Sequence, residues 1–430
     1  MQISHPIAKS TTSEIQDFQL TKLKELIAYV EQNSSYYQKL FKENGITSSS
    51  ITSMEDLKKI PFSTKDLLAN HNDDFLCVDK SQIADFVTTS GTLGDPVTFY
   101  LTKNDIDRLA YNEAASMECT GATSDDVFQL MTTMDKRFMA GLAYYQGVQL
   151  LGAGMIRLGP GSPFLQWDSI MRFNPTVLIC IPSFIPKLIK FAEENNIDYK
   201  SSSVKKIVCI GEPLRDENFN LNELSKRITD KWDVELYSTY ASTEMGAAFT
   251  ECEHQNGGHL QPDLLILEVL DENEQDVKSG EKGEVVITTL GVEGMPLLRY
   301  RTGDICKVYY DECGCGRKTP RLGPVIGRRK QMLKFKGTTL FPPVIFNILD
   351  QDQKIEEYLV EVNTNEFGND DVKVILDKAL ESKEFIGKIK SAFKSKLRVS
   401  PEIAFMSKEE LLKIKFNPNQ RKPQVFIDRR

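Results

Sequence analysis

Apolar residues recur at three- and four-residue spacings between Glu14 and Asn44 (Leu20, Leu23, Leu26, Ile27, Val30), a period that predicts an amphipathic helix. Ser63-Thr-Lys-Asp66 has the hydroxyl-then-acid pattern of a helix start. From Asp85 to Thr102, DFVTTSGTLGDPVTFYLT reads as strand, Gly-rich loop, strand, and a helical period resumes from Asn104 to about Gly121. Short apolar runs follow: VFQLMTTM, GMIRLG, PTVLICIPS, KKIVCIGEPL and VELYSTY. Amphipathic stretches such as IPKLIKFAEENN separate them, which predicts βαβ units, a mostly parallel sheet, and ligand loops at the strand carboxyl ends. Between Leu264 and Leu290 alternating strands and turn signals predict a β-rich subdomain. A boundary near Gly327–Lys330 precedes a separate pattern (EYLVEVNTN, KVILDK, FIGKIKSAFKSKL). The expectation is an α/β chain: a large amino-terminal domain over 1–328 with mostly parallel sheets and a β-rich part around 250–326, then a small mobile α+β domain over 330–430.

Composition narrows the function. Of 430 residues, 40% are apolar and 27% charged, as in a globular chain of at least two domains. A net charge of −8 argues against nucleic acid or an anionic membrane as the main partner. The start MQISHPIAKSTTSEIQDF lacks a basic segment followed by an apolar run, and no stretch reaches the roughly 18 apolar residues of a membrane span, so the expected location is cytoplasmic. Eight cysteines are too few for a disulfide scaffold, and Cys77, Cys119, Cys180 and Cys209 read as buried thiols.

The chemistry begins with TTSGTLGDP, Thr88 to Pro96. Glycines and hydroxyls in a loop between strands present N–H and O–H donors to phosphate oxygens, although the GK[ST] ending of a Walker loop is missing. YASTE (Tyr240–Glu244) and LRYRTGD (Leu298–Asp304) each follow strand-like runs, Gly327-Arg328 precedes MLKFKGTTLFP, and NQRKPQVFID is a basic segment near the end. In that order and spacing these segments resemble the adenylate-forming superfamily of acyl-CoA synthetases, adenylation domains and luciferases. YVEQNSSYYQKLFKENGI, DLKKIPFSTKDLL, GEPLRDE, ECEHQNGGHLQPD and CGCGRKTPRLGPVIGR further resemble the phenylacetate–CoA ligases, over essentially the whole chain.

The resemblance implies an ATP-dependent acid:CoA ligase that forms an acyl-adenylate from an aryl or related small carboxylic acid, then passes the acyl group to coenzyme A. It implies a phosphate-gripping loop of Ser90, Gly91, Thr92 and Gly94, with Asp95 where relatives commonly have Lys. Glu244 matches the Mg²⁺-associated glutamate and Thr243 the hydroxyl beside the α-phosphate. Gly211, Glu212 and Pro213 fall at the adenine, Tyr240 stacks on it with Ala241 and Ser242 following, and Asp304 accepts from the ribose hydroxyls. Arg328 is the junction arginine, Lys330 the hinge, and Lys422 the lysine that neutralises charge in adenylation, with Arg421 where a Gly is usual.

Further implications concern substrates and metal. The acid is expected among Phe138, Met139, Ala140, Gly141, Tyr144, Ile181, Pro182 and Ser183, with Ala241 and Ser242. CoA is expected to approach between the domains, near Arg328, Arg329, Lys334 and Lys336. Cys252, Cys313 and Cys315 with an imidazole make a donor set for structural zinc, with His259 the first choice of fourth ligand and His254 the second. Relatives allow a homodimer. Two other readings stay open: adenylation with a carrier-protein thiol, protein thiol or amine as acceptor, and a catalytically lapsed nucleotide-binding scaffold.

Overall fold

A computed structural model describes residues 3–89, 96–335, 338–364, 370–417 and 423–430, with Thr339 as backbone only. The Gly-rich positions Ser90, Gly91, Thr92, Gly94 and Asp95 lie outside the described residues, as do Lys336, Arg421 and Lys422.

Two compact units emerge. Among the described residues, the first holds 3–89, 96–302 and 306–325, and the second holds 303–305 and those from 326 onward. The amino-terminal helical period is split into α1 (Thr12–Asn33) and α2 (Ser35–Asn44). Ser34 causes the break. Its backbone is extended, its hydroxyl accepts from Tyr37 N at 3.4 Å, and the same hydroxyl donates to Asp74 O at 2.8 Å. A residue that caps one helix cannot continue another. Then come α3 (Lys65–Asn70), capped by Thr64, the hairpin of β1 (Asp85–Thr88) and β2 (Thr98–Leu101), and α4 (Lys103–Cys119).

The centre of the first unit is β3 (Val127–Leu130), α5 (Met139–Leu151), β4 (Gly154–Arg157), α6 (Pro163–Phe173), β5 (Val177–Cys180), α7 (Ile185–Glu194), β6 (Lys206–Ile210), α8 (Glu223–Thr229) and β7 (Glu235–Ser242). These strands pair in parallel in the order β4-β3-β5-β6-β7. Alternation along the strands builds two layers: Val177 and Ile179 pack with Met117, Tyr144 and Val148, while Leu178 and Cys180 pack with Trp167, Ile170 and Leu188. Both faces are covered by helices, which is why Val-Leu-Ile-Cys is apolar throughout.

After β7 the direction reverses. β8 (Ala247–Glu251), β9 (Gly258–His259), β10 (Leu265–Leu270), β11 (Lys282–Thr289), β12 (Tyr300–Tyr309) and β13 (Arg321–Leu322) join the same sheet through antiparallel pairs. Leu23 and Ile27 of α1 share a core with Leu265, Val269, Val285 and Ile287. The first unit is therefore parallel in its middle and antiparallel beyond β7.

In the second unit β14 (Gly327–Arg328) pairs with β12 at Asp304 and Ile305. The hairpin of β15 (Leu333–Phe335) and β16 (Thr338–Leu340) follows, then α9 (Pro342–Leu349), β17 (Tyr358–Thr364), β18 (Asp370–Asp377), α10 (Lys383–Leu397), β19 (Glu402–Met406), α11 (Lys408–Lys415) and β20 (Phe426–Asp428). The four-stranded sheet runs β19-β18-β17-β20, with α9 and α10 burying Ile345, Ile348, Ile389 and Phe393 on one face and Leu411 of α11 on the other. No helix among the described residues is long and apolar enough to cross a membrane.

Candidate functional site

Three neighbouring parallel strands, β5, β6 and β7, end in the polar loops that the sequence singled out. Beyond β5, Ser183 donates through both N–H and hydroxyl to Glu212 beyond β6, at 3.0 and 2.9 Å. This bidentate contact ties two loops into one edge, with Gly211 and Pro213 exposed beside it. Tyr240 is half-buried and stacks on Phe249, its register partner across the β7–β8 hairpin, at 6.0 Å.

The β7–β8 turn carries Thr243 and Glu244. Met245 is its anchor: the side chain is fully buried, a burial worth about 2 kcal/mol. With Met245 turned into the core, Thr243 and Glu244 stay half-exposed. Gly246 closes the turn at φ 53°, a conformation that side chains with a Cβ rarely adopt. The Tyr300 hydroxyl donates to the Glu244 carboxylate at 3.4 Å. An accessible carboxylate is a hard oxygen donor, so Glu244 fits Mg²⁺.

In the second unit Asp304 is buried, and Arg328 Nε donates to its Oδ1 at 3.0 Å, across a register pair of β12 and β14. Arg328 thus holds the aspartate. Lys330 follows β14 in a short turn, Arg329–Gln331, and Lys334 is exposed on β15. Arg430, which no motif singles out, donates to Lys330 O at 3.1 Å, Met332 O at 2.9 Å and Asp370 at 3.1 Å.

The residues expected around the acid separate by depth. Phe138 and Ala140 are half-buried at the start of α5, Gly141 is buried, and Ile181, Pro182 and Ser183 follow β5. Ala241 is exposed and Ser242 half-buried. Met139 lies in the core that holds Met245. Tyr144 is in the helix–sheet core with Met117, Phe128 and Val148, so it supports the loops from below. Lys136 and Arg137 before α5 both have left-handed backbone, φ 56° and 59°, and Arg137 O accepts from Thr88 N at 3.1 Å. Two consecutive non-glycine residues in that region store strain beside a loop edge.

A second constellation sits on the antiparallel side. Cys252 follows β8, His259 ends β9, and Cys313 and Cys315 lie on the turn joining β12 to β13. Their ligating atoms all lie within 4.8 Å of one another. Cys252 and Cys313 sulfurs are 3.6 Å apart, and Cys315 Sγ is 3.4 Å from His259 Nε2. A tetrahedral zinc with Zn–S bonds of 2.3 Å sets its sulfurs about 3.7 Å apart, so the donor set fits the metal. His259 Nδ1 faces Thr319 Oγ1 at 3.4 Å, which turns Nε2 toward the sulfurs. His254 takes a different part: its ring covers Gly314, where a Cβ would come within 2.6 Å of Nε2.

Charge supports the same set. Hydrogen bonding from Cys252, and then from His259, holds the Cys315 thiol far below its ordinary range. Cys252 is pushed up, first by its bond to Cys315 and then by burial. Burial lowers His259, keeping it neutral as a ligand must be. Arg317 reaches Cys315 Sγ at 3.6 Å and offsets thiolate charge. Cys119 lies in the same cluster, but burial pushes it up to about 12 and it donates to Thr250 O at 3.5 Å, so it is a packing thiol.

The interior also holds buried ionisable groups that sequence reasoning missed. Arg215 donates to Glu251 at 3.0 Å, and Ser238 N donates to the other oxygen at 2.8 Å. Burial lifts Glu251 to about 7 despite that arginine, and lifts Glu113 on α4 to about 8. Periodicity marks both positions only as polar, and nothing local signals that Glu251 meets Arg215, 36 residues away.

Residues 14–294 match the family described as AMP-binding enzyme. The phenylacetate–coenzyme A ligase of Thermus thermophilus is 29% identical over 341 residues, 78% of this chain and 75% of that protein. The phenylacetate–coenzyme A ligase of Escherichia coli is 27% identical, covering 83% of this chain and 81% of that one. Among solved structures, 2-hydroxyisobutyryl-CoA ligase in the postadenylation state superposes with a TM-score of 0.83 at 22% identity, over 98% of this chain and 91% of that one. On this evidence the chain belongs to the AMP-binding enzyme family of the adenylate-forming superfamily, with phenylacetate–CoA ligases among its relatives.

Proposed function

We propose that the chain is an AMP-forming acid:CoA ligase that activates an aryl or related small carboxylic acid. The observation that carries this reading is the row of polar loops at the ends of β5, β6 and β7, with Ser183 bound to Glu212 and Glu244 presented beside them. Attack of a carboxylate on the α-phosphate needs charge neutralisation and alignment more than covalent help. Glu244 holds Mg²⁺, which supplies positive charge to the phosphates when bound. Thr243 donates its hydroxyl toward the α-phosphate, Tyr240 offers a ring face to the adenine, and Gly211–Pro213 lines its edge. Asp304, fixed by Arg328, accepts from the ribose hydroxyls. Phe138, Ala140, Ile181 and Pro182 provide the apolar lining for the acid. Lys422 and the Ser90–Gly94 loop complete the reading from sequence alone. Cys252, His259, Cys313 and Cys315 are assigned to one structural zinc, which staples two hairpins and takes no part in chemistry.

The decisive experiment is acid-dependent pyrophosphate release with ATP and Mg²⁺ across aryl and fatty acids, with and without CoA. Release that requires an acid and accelerates with CoA is expected. Release indifferent to CoA points to another acceptor, and no release with any acid overturns the ligase reading.

A further inference from the structure

Arg108 projects from α4 into the interior and ends on no carboxylate at hydrogen-bond distance among the described residues. Its guanidinium donates to three backbone carbonyls instead: Nε to Leu290 at 2.7 Å, Nη1 to Gly246 at 2.5 Å, and Nη2 to Leu264 at 2.7 Å. One turn earlier, buried Asp105 accepts from Glu293 N at 2.8 Å and Gly294 N at 2.9 Å. The start of α4 thus grips the segment after β11, and Arg108 extends the grip to the turn that carries Glu244.

Other ties on that turn are weak. Gly246 N to Ser242 O is 3.3 Å, Met245 N to Ser242 Oγ is 3.3 Å, and Tyr300 OH to Glu244 is 3.4 Å. The charged Arg108 contact is the shortest of them, and charge-assisted bonds are about twice as strong as neutral ones. Beside the turn is a half-open pocket of about 30 Å³ lined by Asp105, Arg108, Met139, Thr243 and Glu244, room for one or two waters. Packing therefore leaves space beside Glu244 unfilled. Desolvation lowers the Arg108 guanidinium to about 10, which leaves it charged at neutral pH. A half-buried, desolvated cation that props carbonyls beside an unfilled pocket is costly in stability terms, and an apolar side chain would pack there more cheaply.

We infer that Arg108 is a positioning residue for the adenylation step: by holding the Gly246 carbonyl it sets Thr243 and Glu244 in register for metal-bound phosphate. The inference rests on the reading of Glu244 as the Mg²⁺-associated carboxylate. A shift of about 1 Å in such a group costs on the order of 10²-fold in rate.

The test uses the full chain with Arg108→Gln, Arg108→Lys and Glu244→Gln. Manganese binding in the presence of ATP is followed by electron paramagnetic resonance, and pyrophosphate release is titrated with Mg²⁺. CoA capture of a supplied acyl-adenylate is timed separately. Arg108→Gln is expected to weaken metal binding about 10-fold and slow pyrophosphate release 10- to 100-fold, with CoA capture within about 3-fold of the parent. Arg108→Lys keeps the charge but cannot fork to three carbonyls, and falls between them. Parental metal binding in both Arg108 variants, or equal loss of both half-reactions, overturns the inference. If Arg108→Gln does not fold, Arg108→Lys decides by the same titration. Unchanged metal binding in Glu244→Gln overturns the reading of Glu244 itself; a changed one beside parental Arg108 variants overturns only the role of Arg108.

Discussion

A tight hairpin turn and a longer loop on one sheet present their side chains in opposite ways. The β7–β8 turn buries Met245 and leaves Thr243 and Glu244 half-exposed, its own hydrogen bonds long and the Gly246 carbonyl held by Arg108. The β12–β13 turn turns Cys313 and Cys315 inward against Cys252 and His259, with ligating atoms facing each other rather than solvent. The first turn leaves its carboxylate accessible to a ligand. In the second, the four donor groups saturate one another.

The largest expected effect breaks the first turn without touching the second. Glu244→Ala is expected to cut acid-dependent pyrophosphate release by 10²- to 10³-fold, as when a preorganised electrostatic group is lost, while thermal unfolding moves by less than about 2 °C. A comparable fall in unfolding temperature would make Glu244 a structural residue.

Cys313→Ser inverts the pattern. It is expected to lower zinc content from about one per chain to below about 0.2, and to destabilise the β-rich part by several kcal/mol, with turnover of the folded fraction within about 3-fold. Metal analysis beside a melting curve checks it, and stoichiometric zinc in the variant sinks the four-ligand assignment.

The smallest effect concerns Glu113, an acid buried in the interior. Folded Glu113 titrates near 8 against an ordinary 4.5, so the native state binds the extra proton between those values. Its contribution to stability is therefore full below pH 4.5, falls as pH rises to about 8, and is flat beyond. Glu113→Gln removes that slope, and at pH 8 the variant is expected to be more stable than the parent by at least about 1 kcal/mol. Denaturant midpoints at pH 5 and pH 8 measure the difference; a parallel shift at both values contradicts the assignment.

Much of the architecture was legible because its signals are local. Each of the five apolar runs from VFQLMTTM to VELYSTY is a strand, and the β-rich texture after Leu264 is the β10–β11 ladder. The single helical period at 14–44 hid a break at Ser34, since a cap depends on a contact to Asp74 that no window of sequence contains. Among the proposed site residues, Tyr240, Thr243, Glu244 and Asp304 could be picked from sequence because they stand in compact motifs. Tyr144, chosen by proximity to such a loop, faces the core.

Sequence by itself determined the strand and helix order, the placing of polar loops at strand ends, and the identity of every cysteine and histidine ligand candidate, because periodicity and short motifs depend on neighbours within a few residues. Tertiary structure alone decided that His259 rather than His254 completes the cysteine set, and that Arg108 reaches the carbonyls at 246, 264 and 290. It also decided that Glu113 and Glu251 sit in the interior. Those outcomes depend on which segments distant in the chain are brought together, and burial and hydrogen bonding act only once the sheet has done so.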